Sequence, residues 1–113
     1  MPFEAGDIVC IHFPFTDRAV HKRRPALVLS IKNFNSSHMH LILAMVTSAK
    51  NPPWPSDTTI SDQVKAGLPS ASVVRMKLFT LDERLVIGLL GKLAEVDKTA
   101  VMGRVSAVLG VSV

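Results

Sequence analysis

The run Met39–Ser48, MHLILAMVTS, constrains this chain more than any other stretch. Its centre, LILAMV, is apolar at every position, so no period of two separates a wet face from a dry one. A strand of that kind needs cover on both faces and is therefore central to a sheet. It is far shorter than the roughly 20 apolar residues that a membrane-spanning helix takes. The remainder of the 113 residues must supply its neighbours, and that length suits a single domain, 1–113, with one core.

The flanking elements are marked by their punctuation. GDIVCIHFPF gives a first strand from Asp7 to Phe13, which Pro14 ends because it has no N–H to donate. PALVLSI is a second strand with Pro25 as its first residue, and NFNSS is a cluster of turn formers. In AKNPPWPSD the prolines hold the chain extended and stiff. TTI is a short fourth strand, AGLPS a turn and SVVRMK a fifth strand. TLDERL carries a capping-box pattern, Thr80 with Glu83, which predicts a short helical turn. RLVIGLLGKL reads as a last strand interrupted by glycines. In the tail, Val101, Val105, Val108 and Leu109 follow the spacing of an amphipathic helix that Gly110 stops. No repeat or low-complexity tract occurs. The sum is a mainly β fold, a small antiparallel barrel or sheet with a C-terminal helix and short helical turns.

Charge and composition narrow the function classes. The chain is 48% hydrophobic with net charge +4, and five of its 13 Lys and Arg residues fall between Arg18 and Lys32. VKAGLPSASVVRMK adds three more. Bases gathered on loops and strand ends suit a phosphate-bearing partner, although they also solubilise an apolar domain. The single cysteine, Cys10, excludes an internal disulfide and a Cys-based zinc site. With an N-terminus that lacks the pattern of a signal peptide, this points to the cytoplasm. There is no phosphate-binding GxxxxGK[ST], no HExxH and no GxSxG. His38 and His40, two apart on a predicted strand, would share a face but have no third ligand nearby, so neither a metal nor another cofactor is expected.

Several residues carry chemistry worth weighing. The hairpin loop between the first two strands holds Asp17, Arg18, His21, Lys22 and Arg23. Next comes Arg24, whose backbone Pro25 biases toward the extended form, so its guanidinium projects from a fixed strand lip. Held that way, it can grip two oxygens of a phosphate and stabilise charge built up in a transition state. Its plainer use is as an edge charge that deters aggregation. Thr47 and Ser48 put two hydroxyls where the central strand meets the proline loop, either to hold a phosphate oxygen or to cap a turn. Trp54 is a packed lid or a platform on which a base stacks. Arg75 and Lys77 share one face of the fifth strand, as a second basic stripe or as solvated edge charge.

Taken in order, GDIVCIHFPFTD, KRRPALVLS, the strand ending in VTS, AGLPSASVVRMKLFTLD and LLGKL resemble the MazF/PemK toxins of bacterial toxin–antitoxin pairs, the PemK-like branch above all. The resemblance implies an SH3-like or plug β-barrel of five to seven strands that works as a homodimer. It implies a metal-independent endoribonuclease, an mRNA interferase. Such enzymes cut single-stranded RNA at short sequences to 2′,3′-cyclic phosphate and 5′-OH ends. It also implies a cognate antitoxin that covers the RNA groove, in a complex that binds DNA. By position, Arg24 matches the family's catalytic arginine and Thr47 the hydroxyl residue opposite it. RNA contacts then fall to Asp17, Arg18, His21, Lys22, Arg23, Ser48, Arg75 and Lys77. Some relatives pair the strand-5 arginine with an aspartate two residues on; here that position is Lys77. The alternative is a non-catalytic module of the CcdB type, a gyrase poison on the same barrel. The closing VLGVSV lacks the tryptophan-containing tail associated with that contact. A third option is a degenerate member that only binds antitoxin. Dimerisation has a physical motive too, because Met102, Val105 and Leu109 join the central strand in needing cover.

Overall fold

A computed structural model describes residues 3–12 and 23–111. These form β1 (Asp7–His12), β2 (Arg23–Val28), α1 (Lys32–His38), β3 (His40–Ser48), β4 (Thr58–Thr59), β5 (Ser72–Asp82), β6 (Val86–Lys92) and α2 (Glu95–Leu109). A 3-10 turn, Glu83–Leu85, joins β5 to β6. The strands make one antiparallel sheet in the order β4-β5-β3-β2-β1-β6. β3 lies between β2 and β5, and Leu43, Ala44, Met45 and Val46 are all buried, as a strand apolar on both faces must be.

Alternate residues feed two cores. Ile8, Leu27, Ala44, Val46 and Val74 pack with Ile60, Leu68, Leu93 and Val101 on one side of the sheet. Val9, Ile11, Ala26, Val28, Leu41 and Leu43 pack with Leu81 on the other. The helix α2 belongs to the first core through Val101, and its buried Asp97 ties it down. That carboxylate accepts from Ser61 Oγ at 2.8 Å, from the Ser61 amide at 3.0 Å and from the Asp62 amide at 3.3 Å.

Among the described residues the sheet does not close into a barrel; a backbone seam sets the segment after β4 against β6. β4 and β6 do not pair, but the Lys92 amide donates to the Lys65 carbonyl at 3.1 Å. At this seam Gly67 has φ +72°, and a Cβ there would run into the Leu90 carbonyl. A Cβ on Gly91 would lie 2.5 Å from the Ala66 carbonyl carbon. Only glycine lets the two backbones approach this closely.

Several boundaries differ from expectation. The expected end of the first strand at Phe13 lies outside the described residues. β2 starts two residues before Pro25, so Arg23 and Arg24 are strand residues paired with His12 and Ile11. Pro25 is tolerated because the β2–β3 ladder begins only at Ala26. The NFNSS segment is helical, not a turn. The buried Asn35 side chain anchors it, donating to the carbonyls of Phe3 at 2.9 Å and Ser30 at 3.0 Å while accepting from Ser30 Oγ. Consequently His38 ends a helix and His40 begins a strand, with Met39 in the left-handed conformation (φ 54°) between them. The two imidazoles do not share a strand face. Thr80 lies inside β5, and it is Asp82 that caps the 3-10 turn by accepting from the Arg84 amide at 2.9 Å. Along α2, Val101 is buried, but Val108 and Leu109 remain more than half exposed. Among the described residues no helix is long and apolar enough to cross a membrane.

Candidate functional site

The site follows from where two ladders stop. β1 and β2 stay paired out to His12 and Arg23, whereas β2 and β3 part beyond Ala26 and Met45. Continuing the β2–β3 register would set Arg24 opposite Thr47 and Arg23 opposite Ser48. A cleft of about 330 Å³ opens where the ladder ends, and all four residues line it. Cys10 and Pro25 contribute from the β1–β2 side, Asn51 from the β3 side, and the turn Gly67–Ser70 with Leu90 completes the lining.

Its chemistry is cationic and hydroxylic. Among the described residues, ion pairs join Arg75 to Asp57, Arg84 to Asp82, and Lys92 to Glu4 and Asp7; Arg23 and Arg24 enter none of them. No described carboxylate or imidazole lines the cleft. Thr47 Oγ1 accepts from Asn51 Nδ2 at 2.6 Å, which leaves the hydroxyl proton available to a ligand. Ser48 Oγ accepts from the Lys50 amide at 3.2 Å. The arrangement suits a phosphate: two guanidiniums on one side and an oriented hydroxyl donor on the other.

Arg75 is neither solvated nor in the cleft. Its Nε and Nη2 donate to the two oxygens of Asp57 at 3.1 and 2.9 Å, and Nη2 also reaches the Pro52 carbonyl at 2.8 Å. Both side chains are about nine-tenths buried, at 12% and 10% exposure. Hydrogen bonding from Arg75 holds the Asp57 carboxyl below the usual carboxylate range against the opposing effect of burial, and the Trp54 amide adds to it. The same bond raises Arg75. Thus the acid missing at position 77 does not leave Arg75 without a carboxylate; one comes from the proline loop. Lys77 is exposed, with its Nζ 5.7 Å from the Trp54 ring centroid. Asp17, Arg18, His21 and Lys22 lie outside the described residues.

Three neighbours escape the motifs of the sequence. Asn51 was one more turn former, Asp57 meets a partner 18 residues away, and Cys10 stood out only for being single. Asn51 alone had a local cue, four residues beyond Thr47 in a turn. Among the described residues no group of three or more His, Cys, Asp or Glu is placed to hold a metal ion.

A single antiparallel sheet with a C-terminal helix and a cationic cleft at one end defines a class, small mainly β domains with a cleft suited to phosphate. A family model described as PemK-like, MazF-like toxin of type II toxin–antitoxin systems matches residues 4–109. The chain belongs to this family. Among solved structures, it is similar to a MazE–MazF complex from Deinococcus radiodurans: 28% identity, 99% of this chain and 100% of that chain covered, TM-score 0.82. MazF from the same organism follows at 26% identity, 97% and 98% coverage and TM-score 0.77. A mycobacterial endoribonuclease in complex with its cognate antitoxin shares the fold at 15% identity, 99% and 97% coverage and TM-score 0.76. A search of curated protein sequences found no match.

Proposed function

We propose that this toxin is a metal-independent endoribonuclease that cleaves single-stranded RNA in the cleft between Arg24 and Thr47. The observation that carries the reading is that both line one cleft in which no described acid neutralises the arginine. In the reaction the 2′-OH attacks the adjacent phosphorus and the bond to the 5′-oxygen breaks, leaving a 2′,3′-cyclic phosphate and a 5′-OH. Arg24 stabilises the pentacoordinate dianion, and Thr47 fixes a phosphate oxygen so that attacking and leaving oxygens stay in line. Arg23 and Ser48 contact flanking phosphates, and the exposed Lys77 adds positive charge beyond the cleft, where Asp57 already neutralises Arg75. Arg18, His21 and Lys22, with the acid Asp17, belong to the loop that precedes Arg23 in sequence, and in this reading they add RNA contacts. Asp17 and His21 are the carboxylate and the imidazole nearest Arg24 in sequence.

The partners follow the same reading. A cognate antitoxin covers the cleft, and two copies of the chain associate through apolar surface left open on β6 and α2, including Leu89 and Leu109. The decisive experiment incubates purified protein with a defined single-stranded RNA in EDTA. Fragments with cyclic-phosphate and 5′-OH ends are expected, and Arg24→Ala should slow their formation by about 10²- to 10³-fold. Intact RNA with the wild-type protein, or cutting by Arg24→Ala at the wild-type rate, would overturn the proposal.

A further inference from the structure

We infer that Trp54 is a nucleobase-stacking shelf, which receives the base beside the cleft in a bound single strand; this rests on the cleft being an RNA site. Trp54 is the only tryptophan in the chain and keeps 40% of its surface exposed on a loop tip among Pro52, Pro53 and Pro55. A large exposed aromatic is informative when it is held still. The backbone that carries this one is fixed at both its amide and its carbonyl by Asp57. Its amide donates to Asp57 Oδ2 at 2.9 Å, its carbonyl accepts from the Asp57 amide at 3.0 Å, and Arg75 clamps Asp57 and the Pro52 carbonyl together.

The same residues place charge at the ring. Arg75 Cζ lies 5.0 Å and Lys77 Nζ 5.7 Å from the ring centroid, and both side chains come from β5. The exposed Lys77 beside an exposed indole matches what an unpaired nucleotide offers, a flat π-face and a phosphate, while Arg75, paired with Asp57, braces the loop. The path is short as well. Asn51 lines the cleft and bonds to Thr47, and three residues of extended chain carry Trp54 at most about 11 Å further. A strand leaving the cleft past Thr47 runs over this loop.

Because Trp54 is single, its fluorescence reads the shelf directly. The probe is a mixed-sequence 2′-O-methyl RNA hexamer, which cannot be cleaved because its 2′-oxygens are blocked. A sugar–phosphate hexamer of the same length without bases is the control. The hexamer should quench Trp54 emission on binding and the control should not. Trp54→Ala should weaken hexamer binding, followed by anisotropy of an end label, about 5- to 150-fold, while Trp54→Phe keeps most of it. Equal quenching by the abasic control, or unchanged affinity in Trp54→Ala, would overturn the shelf. So would quenching by an antitoxin-derived peptide with none by RNA, which would make the loop a protein-binding surface. Cleavage of ordinary RNA is measured separately. Intact cleavage without hexamer quenching sinks the shelf alone, and quenching without cleavage sinks the nuclease reading alone.

Discussion

Asp57 is where a single proton reaches furthest. Its carboxylate accepts from Nε and Nη2 of Arg75 and from the amide of Trp54, and its pKa in the fold lies below the ordinary 3.8. A depressed carboxylate stabilises the fold fully above its unfolded pKa. That contribution drains as pH falls below 3.8 and through the lower folded value. Thermal melts should therefore show the wild-type Tm dropping more steeply than that of Asp57→Asn in acid, with the two curves converging at the lowest pH. Parallel curves would mean the pair adds nothing. At Thr47 the hydroxyl is the test. Thr47→Ser should keep most cleavage and Thr47→Val should lose about 10- to 100-fold, measured as initial rate on one RNA. Arg24 and Thr47 were legible in the sequence because each stands at a strand end beside a local signal, a following proline or the close of an apolar run. Asp57 was not, since nothing within its own loop points to a partner 18 residues away.

At the scale of elements, two buried side chains decide more than propensity does. Asn35 turns a segment of turn formers into α1 by bonding to Phe3 and Ser30. Asn35→Ala leaves those groups unmatched in a buried place and should cost about 1–3 kcal/mol in urea unfolding. Composition alone reads NFNSS as a turn, because the bonds that make it helical come from residues outside it. Asp97 works likewise at the start of α2, where it accepts three hydrogen bonds from Ser61 and Asp62. Asp97→Ala should destabilise by a similar ~1–3 kcal/mol, also read from urea curves. The strands were legible because apolar runs bounded by proline and glycine are local facts. The extension of β5 to Asp82 is not local, since its far half is held by pairing with His40–Ala44 of β3.

At the scale of the whole molecule, apolar surface remains uncovered. Ile87, Leu89 and Leu90 on β6 are 40%, 47% and 41% exposed, and Val108 and Leu109 end α2 at 51% and 58%. Sedimentation at micromolar concentration should give twice the 12.3 kDa chain mass. A species of one chain would show that this surface serves another partner. The amphipathic spacing of the tail foretold the helix but not which of its turns the sheet would cover, because spacing defines a stripe and not the length of the neighbour beneath it.

The glycine seam gives warming an order of events. Gly67 and Leu90 meet where β6 passes the turn, and both also line the cleft that holds Arg24 and Thr47. Heat that frays this join dismantles one rim of the groove while the central strands, paired along their length, persist. RNA cleavage, as proposed for this cleft, should then fail at a lower temperature than the circular dichroism of the sheet does.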